Sequence, residues 1–369
     1  MAATTKPPYR ADHVGSLLRP LELHEARAKA RKGEIDAAAL KLVEDKCISH
    51  AVALQEAVGI PAVTDGEFRR TYWHIDFLLG FGGVTTAAES FAVKFGGTEE
   101  QPPLLQVKQK IRRTRPNMLE HFTYLKGLVT KGTPKFCIPS PAMLHLRSDR
   151  AELSRTYPDI NEFWADLTQA YREEIADLYK SGLRYLQIDD TSIANLCDDK
   201  VRAQTKKLGD DPDKLPKIYA DAVNAAIRDV PSDMTVTVHT CRGNFKSTWM
   251  ASGGYDPVAE TVFNTIKADG FFLEYDTDRA GGFEPLRFMP RGKKVVLGLV
   301  SSKLPALETK ADLKRRIEAA SKFVPLEDLC LSPQCGFAST HHGNVMSEDD
   351  QKKKLGLVID TAKEVWGAL

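Results

Sequence analysis

Eight short apolar runs, each separated from the next by a longer segment, constrain this chain to an α/β fold. They are YRADHVGS (9–16), IPAVTDGE (60–67), PKFCIPSP (134–141), LRYLQIDD (183–190), MTVTVHTC (234–241), GFFLEYD (270–276), KKVVLGLVSS (293–302) and LCLSPQCG (329–336). Each passes abruptly into polar or glycine-containing sequence, as a buried parallel strand does where its C-terminal end meets a loop. The intervening segments read as helices. Residues 162–182 space their apolar side chains three and four apart and stop at Gly182; residues 309–325 open with Thr309 three positions ahead of Asp312, a capping signal. Eight strands alternating with helices predict an α/β fold of the closed (β/α)8, or TIM-barrel, type, and residues 1–369 are read as one such domain. An open doubly wound sheet is the alternative, and the chemistry gathered on the strand ends favours closure. One stretch breaks the alternation. Residues 82–116 carry Gly82-Gly83, Gly96-Gly97 and Pro102-Pro103, which predicts a β-hairpin excursion between the second and third units.

Barrels of this kind place their active sites at the C-terminal ends of the strands. Read in order, those ends are Ser16, Glu67, Ser140, Asp189, His239 with Cys241, Glu274, Val300 and Cys335. Two thiolates, an imidazole and a carboxylate complete a tetrahedral zinc site, so His239, Cys241, Glu274 and Cys335 are the expected ligands of a Zn2+ ion. The pattern H-x-C…E…C is not that of a zinc finger, whose ligands come in close pairs. Ligands from separate strands need a preformed scaffold, which points to catalysis. Such a centre carries about −1 net charge before substrate binds, which makes it a poor activator of water and a good partner for a thiol. Glu67 and Asp189 suit an ammonium group; Ser16, beside Gly15, suits a carboxylate. The pocket is therefore read as one for an amino acid bearing a thiol, and the reaction as alkyl transfer to that thiol. Cys47, Cys137, Cys197 and Cys330 are read as packing residues.

Composition excludes other classes. The chain has 369 residues, 42% hydrophobic and 27% charged, with a net charge of +1. That balance gives no reason to expect nucleic acid or an anionic membrane as partner. No apolar run is long enough for a transmembrane helix, and MAATTKPPYR lacks the apolar core of a secretory signal. Six cysteines in so long a chain are no disulfide framework, so a reducing cytoplasm is expected.

These residues carry a family likeness. Across essentially its whole length the chain resembles cobalamin-independent methionine synthase, in particular the catalytic C-terminal domain and the short members built on that domain alone. The family's zinc ligands fall on His239 and Cys241 in HTC, Glu274 in LEYD and Cys335 in QCG. Its homocysteine contacts fall on Val14, Gly15 and Ser16 in VGS, Glu67 in DGE and Asp189 in QIDD. The resemblance implies a zinc-dependent methyltransferase that makes methionine from homocysteine, with Glu274 and Asp189 taking part in catalysis. The donor is methylfolate or a methylcorrinoid, the latter carried by a corrinoid protein. Two departures stand out. The family's tryptophan in N-W-S, which stacks on the folate pterin, is replaced by IPSP with Ser140 in its place. Its seventh-strand histidine is replaced by Val300 in LGLVSSK. Methyltetrahydrofolate leaves poorly without protonation, so methylfolate is expected to serve less well than a methylcorrinoid. His341, His342 and His74 are the candidate replacement acids, with exposed loop histidines the plainer reading of the first two. Two other functions fit the zinc–thiol chemistry: alkyl transfer to another thiol such as coenzyme M, and a non-catalytic zinc-binding barrel.

Overall fold

The computed structural model describes residues 6–90, 93–95 and 98–369. Its strands are β1 (Ala62–Val63), β2 (Gly82–Ser90), β3 (Val93–Phe95), β4 (Thr98–Glu100), β5 (Pro103–Arg112), β6 (Thr133–Pro139), β7 (Tyr185–Asp190), β8 (Thr235–Thr240), β9 (Gly270–Glu274), β10 (Lys294–Val300) and β11 (Leu329–Pro333). Seven of them form one curled sheet in the order β1-β6-β7-β8-β9-β10-β11. Every neighbouring pair is parallel. β7 and β9 are buried along their whole length, because helices cover the sheet. The helix over Ile160–Lys180 shows how sequence sets that cover. Asp159 caps it by accepting the Asn161 N–H, and Phe163, Leu167, Tyr171, Ile175 and Leu178 face inward at helical spacing. The predicted helix at 309–325 is present as Lys310–Ser321, with the Thr309 side chain accepting the Asp312 N–H.

The ladder holds seven strands where eight were expected. The run 9–16 lies beside β11 but joins it through a single parallel bridge, Ala11 to Leu331. Asp12 is fully buried; its Oδ1 accepts the His13 N–H at 2.8 Å and the Lys135 ammonium at 3.0 Å, and its Oδ2 accepts the Tyr185 hydroxyl at 2.8 Å. The backbone bonds to β11 run from Asp12 N to Leu331 O at 3.0 Å and from Leu331 N to Arg10 O at 2.9 Å, so the pairing is confined to residues 10–12. Toward β1 the run is tied instead by Thr64 Oγ1 donating to Gly15 O at 2.6 Å and by Leu17 N donating to Gly66 O at 3.1 Å.

The excursion is present. β2 and β5 pair antiparallel, with Val84 opposite Val107, and β3 pairs β4. Leu105 and Val107 are fully buried, each worth about 1.5–3 kcal/mol of transfer free energy. Arg113 anchors its base through Glu174 at 2.7 Å and Asp177 at 2.8 Å. Among the described residues no helix is long and apolar enough to cross a membrane.

Candidate metal and substrate site

Side chains two apart on a strand share a face, so the period that buries Thr237 also turns His239 and Cys241 the same way. His239 stands between Asp189 on β7 and Phe272 on β9. Its Nδ1 lies 3.3 Å from the Phe272 carbonyl, which only accepts, so Nδ1 carries the hydrogen and Nε2 offers a lone pair. Nε2 is buried and has no hydrogen-bond partner among the described residues. The loop after β11 brings Cys335 to within 3.2 Å of Cys241, sulfur to sulfur. The ligand atoms of His239, Cys241 and Cys335 all lie within 4.8 Å of one another. The hydrogen bond from Cys241 holds the Cys335 thiol well below its usual value against the effect of burial, with the nearby His239 and Lys303 acting in the same direction. The same bond pushes Cys241 up. Two sulfurs and a bare imidazole nitrogen converging in a buried pocket are a donor set that fits zinc.

Glu274 ends β9 but is not one of these three. Its Oε2 accepts the Arg242 N–H at 2.9 Å, and its Oε1 pairs with Arg279 and lies 3.5 Å from Lys303 Nζ. Burial opposes its ionisation, but Lys303, Arg279 and Arg242 overcome that and hold it down at about 2. Lys303, beside Glu274, is a residue that the sequence reading did not single out. It is 4% exposed, and its Nζ has no hydrogen-bond partner among the described residues. A lysine closing the seventh apolar run was the available signal. Val300 itself lies buried in the hydrophobic core.

A cavity of about 70 Å³ opens over the three ligands. Val14, Ser16, Glu67 and Asp189 line one side of it. Gly15 has φ +131°, and a Cβ there would meet Cys137 Sγ at 2.6 Å, so only glycine lets this turn lie against the pocket floor. Glu67 itself has φ 61°, a strained conformation held by Asp65 Oδ1 accepting its N–H at 2.9 Å. Glu67, Cys137 and Asp189 form a second buried group within 4.8 Å. Cys137, read from sequence as packing, therefore borders the acidic floor and donates to Val14 O at 3.2 Å. Burial pushes Glu67 up to about 8, opposed by Arg70 and reinforced by Asp189. Asp189 rises to about 6 by burial, opposed by His239.

The sign of these shifts gives a prediction. Carboxyls raised toward neutrality are partly protonated in the free protein, and an arriving ammonium group favours their ionised form. Binding of L-methionine, which has no thiol to titrate, is therefore expected to release about one proton at pH 7. Calorimetry in buffers of differing ionisation enthalpy measures this; proton-neutral binding contradicts the assignment.

The other side of the cavity differs from expectation. Ser140 is fully buried, its Oγ accepting the Ala142 N–H at 3.2 Å, and it does not line the pocket. His341 and His342 stack on each other at 3.8 Å, outside the lining. Burial and the neighbouring His342 push His341 down to about 4, so it is neutral. The lining residues here are Tyr72, Trp73, His74, Pro102, Arg147 and Met250.

The model of the family described as "Cobalamin-independent synthase, Catalytic domain" matches residues 11–363. The chain belongs to the cobalamin-independent methionine synthase family. That family is one of methyltransferases. The uncharacterized protein YxjH of Bacillus subtilis (strain 168) is 47% identical over 98% of this chain and 96% of its own length. A crystal structure described as a putative vitamin-B12 independent methionine synthase from Listeria monocytogenes is 39% identical, covers 99% of this chain and 100% of its own, and superposes with a TM-score of 0.80. The 5-methyltetrahydropteroyltriglutamate–homocysteine methyltransferase of Thermotoga sp. (strain RQ2) is 23% identical over 90% of this chain, which spans only 42% of that relative. The half-barrel sheet described above is thus the frame of the cobalamin-independent methionine synthase catalytic domain.

Proposed function

We propose that this protein is a zinc-dependent S-methyltransferase that converts homocysteine to methionine, with methylfolate or a methylcorrinoid as donor. Residues 1–369 then act as a single catalytic (β/α)8 domain in the cytoplasm, the run 9–16 closing the ring. One observation carries this reading: His239, Cys241 and Cys335 meet at one end of a cavity whose floor holds two buried carboxylates. Zinc held by His239, Cys241 and Cys335, with Glu274 as fourth ligand, would lower the pKa of the substrate thiol and keep it nucleophilic at neutral pH.

The chain's own residues do the rest. Glu67 and Asp189 hold the ammonium of homocysteine, and Ser16 with the Gly15 backbone holds its carboxylate. That aims the side-chain sulfur at the Cys241–Cys335 end. Lys303 and Arg279 give the Glu274 carboxylate a second set of partners, so it stays satisfied when it is not a ligand. Glu274→Gln is expected to retain metal but lose turnover, read by metal analysis beside methionine formation; unchanged turnover contradicts the role. An ammonium gains from ionising Glu67 and Asp189 whereas a sulfonate such as that of coenzyme M does not, which favours the amino-acid thiol.

Glu67→Gln tests the substrate. It is expected to raise the homocysteine KM by roughly 10- to 150-fold, the loss of one charge-assisted hydrogen bond, without changing metal content. An unchanged KM in both Glu67→Gln and Asp189→Asn means that homocysteine is not the thiol bound.

A further inference from the structure

The cavity wall beside Trp73 holds His74, the third of the candidate acids. His74 is 6% exposed, and neither Nδ1 nor Nε2 has a hydrogen-bond partner among the described residues. Buried polar atoms in native proteins are nearly always paired, and the exceptions gather where a ligand completes them. His74 lines the cavity together with Trp73, whose ring centroid lies 4.7 Å from that of His74 at a 47° tilt.

The position of this segment is fixed relative to the three candidate metal ligands. Trp73 N donates to Ser339 O at 3.4 Å, and His341 N donates to Thr71 O at 2.9 Å. Tyr72 and Thr340 form an antiparallel bridge. The chain from Thr71 to His74 is therefore stitched to the loop that carries Cys335.

We propose that Trp73 and His74 form the methyl-donor subsite, in which His74 reads an uncharged amide edge of the donor beside the Trp73 ring. This rests on the transferase reading above. Burial and the charge of Arg147 keep the imidazole neutral. A neutral imidazole presents one N–H donor and one bare acceptor on diverging sides of the ring, so one of its nitrogens can bond either the carbonyl or the N–H of an amide. Two donors supply that chemistry: the ring lactam of a methylated pterin and the peripheral carboxamides of a methylcorrinoid. The Arg147 guanidinium on the same wall disfavours sulfonium or quaternary ammonium donors, which carry a positive charge. In this arrangement His74 is a positioning residue and not the proton source.

The test measures binding of 5-methyltetrahydrofolate and of methylcobalamin separately, by fluorescence quenching in the metal-loaded protein, alongside homocysteine binding. Wild type is expected to bind one of the two, and which one binds identifies the source of the amide. His74→Leu should weaken that binding by about tenfold, the loss of one neutral hydrogen bond, while His74→Gln, which keeps a donor and an acceptor, restores it to within about threefold. The donor KM should follow the same order with a flat profile between pH 5.5 and 8, and homocysteine affinity should not change. Equal donor binding by His74→Leu and wild type, or no binding of either donor by wild type, overturns the subsite. Failure of wild type to bind homocysteine overturns the transferase reading instead.

Discussion

Cys335→Ser is expected to lose bound zinc and methyl transfer together while the barrel stays folded. The substitution keeps volume, and Cys335 pairs with no strand: it sits in the loop after β11, with its sulfur 3.2 Å from Cys241 and 3.6 Å from Ser339 Oγ. What it removes is a sulfur whose thiol the Cys241 hydrogen bond holds well below its usual value. Loss of an outer partner of a metal ligand already costs 10- to 100-fold, so loss of the ligand itself should weaken zinc by more than about 100-fold. Cys241→Ser should behave alike, since the two sulfurs and the bare His239 nitrogen are one donor set. Metal analysis after dialysis, with circular dichroism as the check on folding, reads the result. Full zinc retention in both variants excludes these residues as ligands.

Gly15→Ala is expected to cost about 2–4 kcal/mol of stability and most of the homocysteine affinity. The new methyl would meet Cys137 Sγ at 2.6 Å, at a backbone angle that L residues rarely adopt. Relief requires moving either Cys137, packed beside Glu67 and Asp189, or the Val14–Ser16 turn. Either shift spoils the pocket floor. Gly356→Ala is the control: it lies in the helix Glu348–Trp366 with open space at its Cβ, and should stabilise by about 0.5–1 kcal/mol. Denaturant midpoints compare the two. Equal stability of Gly15→Ala and wild type contradicts the packing argument.

Much of the site was legible in the sequence because strand ends project chemistry at a period of two. His239 and Cys241 announce one face of β8, and Cys335 and Asp189 follow from the same logic on their own strands. The first strand was not legible. The run 9–16 pairs with β11 only around Ala11, and its Asp12 carboxylate is held by Lys135 and Tyr185, partners far along the chain. Glu274 was singled out as a strand end, but the cations beside it were not, because Arg279 and Lys303 come from separate loops that only the fold brings together. Trp73 and His74 follow β1, a strand of 2 residues, and their place at the cavity comes from pairing with residues 339–341. No periodic signal reports such a contact.

The most direct measurement supplies the zinc-loaded protein with a donor labelled on its methyl carbon and with homocysteine, and follows the label by mass spectrometry. Donors are 5-methyltetrahydrofolate and methylcobalamin; coenzyme M is the competing thiol. Labelled methionine, formed in preference to labelled methyl-coenzyme M and absent with Cys335→Ser, is the predicted result. Label on coenzyme M in preference, or no labelled thioether from any pairing, contradicts the account.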